Sequence, residues 1–416
     1  MDYRYYFRSI NLILLALLGS VFHLRAQSNV AAGTEYRAQE TQGVSAAKET
    51  KAQTKRPITV TAQLREEYDD NIFTTKKNKK SQFKTLIEPS LIYNLPLENT
   101  LLSARYTYGL TYFPDRGKED FDHRHEWIGR IDHSFSSRYN VDVRNRLRYT
   151  QEPDVIGGDA RAQRSDTSFL SNVGSIQGNA QWTPKFGSAT IFTNDWLSYD
   201  DVALDREIGR MVNSLSHDFR YLLTPTITLV AGGNASDNDY FFAKRDSTTL
   251  SGNFGADYSL SPQITVGGRV GPSFTDLDQG GSYFNPYGTV FGNWTVGART
   301  NVEASYTHSV SETDFGTYYL QESDVFSLTG RYQFTQQFYG RLGGRLTLGS
   351  FDSDLGVGAG TTTISEDVLG MDGALGYKIS QYVDFEAGYS YSIVSSDSIS
   401  REFDRNQLYL SIRGTY

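Results

Sequence analysis

Three observations predict an all-β chain that closes into a transmembrane, antiparallel, up-and-down β-barrel. From residue 58 to residue 416, runs of ten to fourteen residues alternate apolar with polar side chains, the period of a strand with two different faces. The connections between runs are short and long by turns, which is the loop pattern of an outer-membrane barrel. Aromatic residues crowd the ends of the runs, where amphipathic rings sit at a membrane interface.

Composition agrees and narrows the class. The 416 residues include 28 Tyr, 24 Phe and 38 Gly, but only 10 Pro and no Cys. Tyr and Phe favour strands, and so polar a chain is no helical membrane protein. The absence of Cys excludes disulfides, thiolate metal sites, a Cys nucleophile and a lipid-modified N-terminal Cys. A net charge of -8 argues against nucleic acid as a partner.

Residues 1–26 read as a secretory signal, with Arg4 and Arg8 before an apolar run at 12–22 and Leu24-Arg25-Ala26 before the cut. Cleavage after Ala32 is the alternative. That run is too short to span a membrane, and no later stretch approaches the necessary length, so insertion has to be as a barrel. Residues 27–57 hold a single aromatic residue, Tyr36, among Ala, Gln, Thr, Lys, Glu and Ser, and are expected to form a disordered periplasmic segment. The barrel is assigned to residues 58–416.

Within it, eight short turns are predicted, around residues 95–99, 136–138, 183–185, 224–225, 261–263, 297–299, 335–337 and 380–381. The segments Leu223-Thr224-Pro225-Thr226-Ile227-Thr228 and Leu260-Ser261-Pro262-Gln263-Ile264-Thr265 are near copies, in which Pro sets the turn and owes the ladder no donor. Nine polar, Asp-rich connections separate them, at 74–82, 114–122, 151–166, 200–210, 237–246, 276–282, 312–322, 352–363 and 395–404. Together they delimit eighteen strands, with sixteen as the next count, and a hairpin repeat of about 40 residues. A propeller blade has that repeat too, but packs four short strands into it where this chain offers two long ones. Termini on the short-turn side suit a periplasmic start and finish.

The faces segregate. Tyr139, Val141, Val143, Leu147 and Tyr149 oppose Asp142, Arg144, Arg146 and Arg148; Phe338, Leu342, Leu346 and Leu348 oppose Arg341, Arg345 and Thr347. Expected interface rings are Trp182, Phe186, Tyr221, Tyr258, Trp294, Tyr332, Phe334, Phe338, Tyr377 and Tyr382 beside short turns, and Tyr112, Phe113, Tyr199, Tyr318 and Tyr319 near long loops. The last run sets Leu408, Leu410, Ile412, Gly414 and Tyr416 on one face and ends on an aromatic residue. It is expected to close the cylinder against residues 58–68 and to carry the signal that barrel-assembly machinery reads; alone, it would also suit a terminal strand of a soluble sandwich.

The segment Glu67-Tyr68-Asp69-Asp70-Asn71-Ile72-Phe73, a following polar loop, and a second strand carrying Pro89 resemble a family of outer-membrane β-barrel porins of the porin-2 type, which includes proteins associated with exopolysaccharide operons. The Leu-Thr-Pro and Leu-Ser-Pro turns are similar as well. The resemblance implies location and architecture over residues 58–416 and brings no catalytic residues with it.

The most suggestive chemistry is a ladder of cations. Arg144, Arg146 and Arg148 share one strand face, Arg130 lies on the hairpin partner and Arg105 on the strand before, while Arg331, Arg341 and Arg345 form a second group. Basic rings in a pore select anions; alternatively these cations pair with Asp132, Asp142 and Glu126 and stiffen the wall. Carboxylates Asp372, Asp384, Glu386 and Glu303 oppose the basic wall in sequence. Lys76, Lys77, Lys79 and Lys80 are candidates to grip lipopolysaccharide phosphates, or form a solvated loop.

Catalysis is poorly supported: His308-Ser309-Val310-Ser311 and His133-Ser134 come nearest to a lipid-facing His and Ser, with no evident third member. Asp237-Asn238-Asp239 and Asp69-Asp70-Asn71 lack the length and closing Glu of a calcium loop, so no metal and no cofactor are expected. The resulting expectation is a passive porin-like channel for small polar or anionic solutes in the bacterial outer membrane, in contact with lipid and lipopolysaccharide. The alternatives are an accessory barrel of exopolysaccharide export and a non-conducting structural or adhesive barrel. Residues 151–166, the longest loop, are the candidate constriction. No segment announces a protein interface.

Overall fold

The computed structural model describes residues 57–416, apart from 118–119, 153–166, 279–280, 298, 313–317, 319, 353–362 and 399. The proposed signal (1–26) and almost all of the N-terminal segment (27–57) lie outside the described residues.

Eighteen strands follow one another in a single antiparallel sheet. The first six are β1 (Ile58–Asp69), β2 (Gln82–Pro96), β3 (Thr100–Tyr112), β4 (Phe121–Ser136), β5 (Tyr139–Thr150) and β6 (Phe169–Gln181). The next six are β7 (Phe186–Tyr199), β8 (Arg210–Thr224), β9 (Ile227–Tyr240), β10 (Ser247–Ser261), β11 (Ile264–Leu277) and β12 (Ser282–Val296). The last six are β13 (Thr300–Glu312), β14 (Leu320–Gln333), β15 (Phe338–Asp352), β16 (Thr363–Lys378), β17 (Val383–Ser396) and β18 (Phe403–Thr415). Each strand pairs with its sequence neighbours, and β1 also pairs with β18, so the sheet closes with no free edge. Closure lets every backbone donor find a partner where lipid supplies none.

Six of the eight short turns share one device. A Ser or Thr hydroxyl at the turn's start accepts the backbone N–H two or three residues on: Thr183 from Phe186 at 3.0 Å, Thr224 from Ile227 at 3.0 Å, Thr335 from Phe338 at 2.9 Å and Ser380 from Val383 at 3.1 Å. This local bond satisfies the turn without a longer loop.

In β1 the even-numbered side chains Ile58, Val60, Leu64 and Tyr68 are exposed outward, while Arg65, Glu67 and Asp69 turn inward. The same alternation runs round the barrel, with Trp127, Leu215, Phe254, Val270, Leu342 and Leu410 among the outward residues. Here the apolar side chains are the exposed ones and the charged side chains the sheltered ones, the reverse of a soluble sandwich.

Two expectations require correction. The aromatic girdle near the short turns is made by exposed Trp182, Tyr221, Tyr258, Trp294, Tyr332, Phe334, Tyr377 and Tyr382, while the predicted Phe186 and Phe338 are half-buried. Near the long loops only Tyr112 of the predicted set is exposed; Phe113, Tyr199 and Tyr318 are buried, and Tyr319 lies outside the described residues. That girdle is supplied instead by outward Phe83, Phe121, Phe242, Phe274 and Phe284. The connection expected at 200–210 also contains a helix, α1 (Val202–Ile208), with Asp201 accepting the Leu204 N–H at 2.8 Å as its cap. Ile208 is wholly buried against Phe169, Leu197 and Tyr199. These three side chains share the inward face, because Thr150 pairs with Phe169, Phe169 with Tyr199, and Leu197 with Arg210. The helix is therefore folded against the inner wall.

Candidate functional site

The arginine ladder lies on the inward face, as register dictates: Arg105 pairs with Ile128, Ile128 with Arg146, Arg130 with Arg144, and Glu126 with Arg148. Carboxylates are interleaved with it. Glu126 accepts from Arg105 at 3.0 Å and from Arg146 at 3.2 Å. Asp142 accepts from Arg130 at 2.7 Å and from Arg144 at 2.5 Å, and Asp132 from Arg130 at 3.3 Å. The Arg148 guanidinium lies 5.3 Å from the centre of the Phe169 ring. Among the described residues four of these cations thus share three carboxylates, and the wall is stiffened by ion pairs.

The second group is organised differently. Arg341 donates to Asp372 at 2.6 Å, to Glu386 at 3.1 Å and to the Tyr409 hydroxyl at 2.6 Å. Tyr339 and Tyr409 both donate to Glu386, at 3.2 Å and 2.8 Å. Their rings lie flat on neighbouring glycines: a Cβ on Gly376 would fall 2.1 Å from the Tyr339 ring, and one on Gly388 would fall 2.3 Å from Tyr409. Only glycine leaves that space. Arg331 stacks 4.6 Å from the Tyr339 ring centre and Arg65 3.7 Å from that of Tyr409. Arg345 is on the same face, paired in register with Ser327 and Gly370. Asp372 and Glu386 are thereby engaged by Arg341 of their own wall.

The constellation that sequence reasoning missed is at the long-loop end of the β1–β18 seam. Asp69, with no exposed surface, accepts from Lys84 at 2.9 Å and from Arg405 at 2.6 Å. Glu67 accepts from Lys84 at 2.8 Å and from Gln407 at 2.7 Å, and also pairs with Arg65. Asp70 takes both the backbone N–H and the amide of Asn406 at 2.7 Å, and the Asn71 amide donates to the Asp404 carbonyl at 2.9 Å. The Glu67–Asn71 segment therefore clasps the closing strand. Arg405 also binds Glu152, at the start of the 151–166 loop, five strands away round the wall. That contact carries the chain across the mouth; residues 153–166 lie outside the described residues. A second crossing joins the β9–β10 loop to the β13–β14 loop, where Arg245 donates to the Tyr318 carbonyl at 2.5 Å.

The remaining candidates are dispersed. Lys76 pairs with Glu402, Lys79 with Asp404 at 2.6 Å, and Lys80 donates to the Asp115 carbonyl, leaving Lys77 exposed. Leu408, Leu410, Ile412 and Tyr416 all face outward, and Gly414 pairs with Ala62 across the seam. Val60 and Tyr416 exchange backbone hydrogen bonds of 2.9 and 2.8 Å. His308 does have an orienting partner, Asp324, at 3.0 Å, but strand alternation turns the adjacent Ser309 to the opposite face. His133 binds Thr100 at 2.6 Å, and Ser134 is on the opposite face. Asp237 and Asp239 likewise face away from Asn238, and Asp69 is occupied by cations. Among the described residues no group of three His, Asp or Glu is placed to hold a metal.

A closed barrel of eighteen strands, apolar outside and charged within, defines a porin-like barrel of the bacterial outer membrane. Residues 292–416 match the family described as "Putative beta-barrel porin 2". The match starts in β12 and runs to the end of β18, without reaching Glu67–Phe73. Similar solved structures include the outer-membrane protein OpdK of Pseudomonas aeruginosa, with 11% identity and a TM-score of 0.42 over 86% of this chain and 99% of that one. Acinetobacter baumannii OccAB3 has 13% identity and a TM-score of 0.44 over 86% and 99%. The siderophore receptor PirA of Pseudomonas aeruginosa has 10% identity and a TM-score of 0.41 over 87% and 81%. No curated protein sequence matches the chain significantly.

Proposed function

We propose that the barrel is a passive channel for small polar or anionic solutes, with the β3–β5 arginine ladder as its selectivity wall. The observation that carries this reading is the inward row of guanidinium groups that register sets side by side on that wall, Arg105, Arg130, Arg144, Arg146 and Arg148. Ion pairs hold guanidinium groups at fixed positions, and cations so placed draw anions into a space walled by low-dielectric protein. Catalysis plays no part in this reading. In the same scheme the short turns and the N-terminal segment are periplasmic, Lys77 meets lipopolysaccharide phosphate, and the outward face of β18 meets the assembly machinery. Planar-bilayer recordings of the refolded protein under a salt gradient test it: an anion-selective reversal potential is expected, and cation selectivity or no conductance overturns it.

A second reading, passage of a neutral glycan, draws on the inner face of β8–β13. Ser214, Ser216, Asn234, Ser251, Thr275 and Thr289 line it, and Arg269 and Asp257 neutralise each other at 2.7 Å. Hydroxyls and amides suit sugar hydroxyls better than ions. Liposome swelling with neutral oligosaccharides against organic acids separates the two readings.

A further inference from the structure

The outer surface is uneven in a way that hydrocarbon does not explain. Across β4–β8 one row of ladder partners reads Gly129, Asn145, Gly174, Asn194 and Asn213. The row points outward, since Arg144 and Arg146 flank Asn145 on the lumen side. Each amide lies between apolar outward neighbours on its own strand: Val143 and Leu147, Phe192 and Trp196, or Met211 and Leu215. It is therefore inside the apolar band and not at its rim. Asn145 donates to Asn172 at 2.9 Å and Asn194 to Asn213 at 2.8 Å. One turn nearer the short turns, Thr190 and His217 bind each other at 2.8 Å. Among the described residues, every other strand asparagine faces the lumen except Asn406, which is held by Asp70 at the loop end. On the far arc, outward Phe326, Leu328, Leu342, Met371 and Leu375 are exposed and apolar, and the outward carboxylates Asp324 and Asp367 flank Leu348 toward the loop end.

An Asn pair uses one donor and one acceptor, so each pair keeps N–H groups and lone pairs that acyl chains cannot meet. The glycines keep this surface low: a Cβ on Gly178 would meet nothing within 4 Å, and one on Gly129 only the Trp127 indole nitrogen, at 3.4 Å. Another backbone can approach closely at such positions. An amide is donor and acceptor at once, so the row is complementary to itself when a second copy is turned about an axis along the membrane normal. We propose that the outward face of β5–β8 is the contact surface between two copies of this barrel within the membrane.

Because the chain has no Cys, a single introduced thiol reports the contact. Ile176→Cys lies on this face and Leu342→Cys on the far arc, and both side chains are exposed. Oxidation of outer membranes holding the full chain is expected to give several-fold more product of twice the chain mass from I176C than from L342C. Adding Asn172→Leu and Asn213→Leu, which suit lipid better, should lower that yield while heat-modifiable barrel persists. The unaltered protein should sediment as two barrels in mild detergent. Equal yields from the two thiols, a product of any other mass, yield indifferent to the Asn changes, or sedimentation as one barrel overturns the proposal.

Discussion

Replacing Asp69 by Ala removes the carboxylate that holds Lys84 and Arg405 together. Asp69 has no exposed surface, and the Lys84 and Arg405 side chains expose only 5% and 6% of theirs. Loss of one partner from a sheltered ion cluster strands the others without a counter-ion, which costs about 3–5 kcal/mol. At 1.4 kcal/mol per factor of ten, that is roughly a hundredfold to a few-thousandfold in the folding equilibrium. The loss should fall on the seam, where β1 and β18 are joined by residues 336 apart in the chain. Guanidinium unfolding in lipid vesicles, read by tryptophan fluorescence and by heat-modifiability on gels, measures it. Asp69→Ala, Arg405→Ala and the double variant form a cycle whose coupling is expected at about 1–3 kcal/mol. Replacing Asp69, Lys84 and Arg405 together by apolar residues of like size should recover most of the loss, because no charge is then stranded. A loss below about 1 kcal/mol for Asp69→Ala, or strict additivity in the cycle, refutes the clasp.

Other outcomes follow from the same geometry. Arg144→Ala with Arg146→Ala should shift the reversal potential of single channels toward cations, because two guanidinium charges leave the wall while Glu126 and Asp142 remain. Leu410→Arg, at an outward position 54% exposed to the bilayer, should cost about 2–4 kcal/mol in vesicle unfolding if it lies at the bilayer midplane. Deleting Tyr416, which exchanges two backbone bonds with Val60, should reduce the heat-modifiable form recovered from outer membranes. Gly255→Ala would set a Cβ 1.9 Å from the Gly268 carbonyl oxygen and should destabilise the β10–β11 ladder, seen as faster local amide exchange.

Strand number and turn position were legible in the chain because they are local. A period of two and a Ser, Thr or Pro at a turn act over a few residues, and the predicted turns at 183–185 and 335–337 fall between the observed strands. The seven-residue helix α1 was not legible, because two turns with one buried residue leave too little periodicity to read. The loop-side girdle was misread at Phe113, Tyr199 and Tyr318 because parity fails where a strand gives way to a loop that folds inward.

The alternation and the spacing of turns along the chain by themselves pointed to a barrel of eighteen strands, with sixteen next, and placed the arginines on one face, since side-chain direction in a strand depends only on residue number. Whether those arginines stand free or paired was decided by register between strands, which placed Glu126 within reach of both Arg105 and Arg146. The clasp at Asp69, the strap from Glu152 to Arg405 and the outward row of amides belong to closure. Only when β1 meets β18 and each strand takes its place on the cylinder do residues hundreds of positions apart share a charge, a mouth or a face.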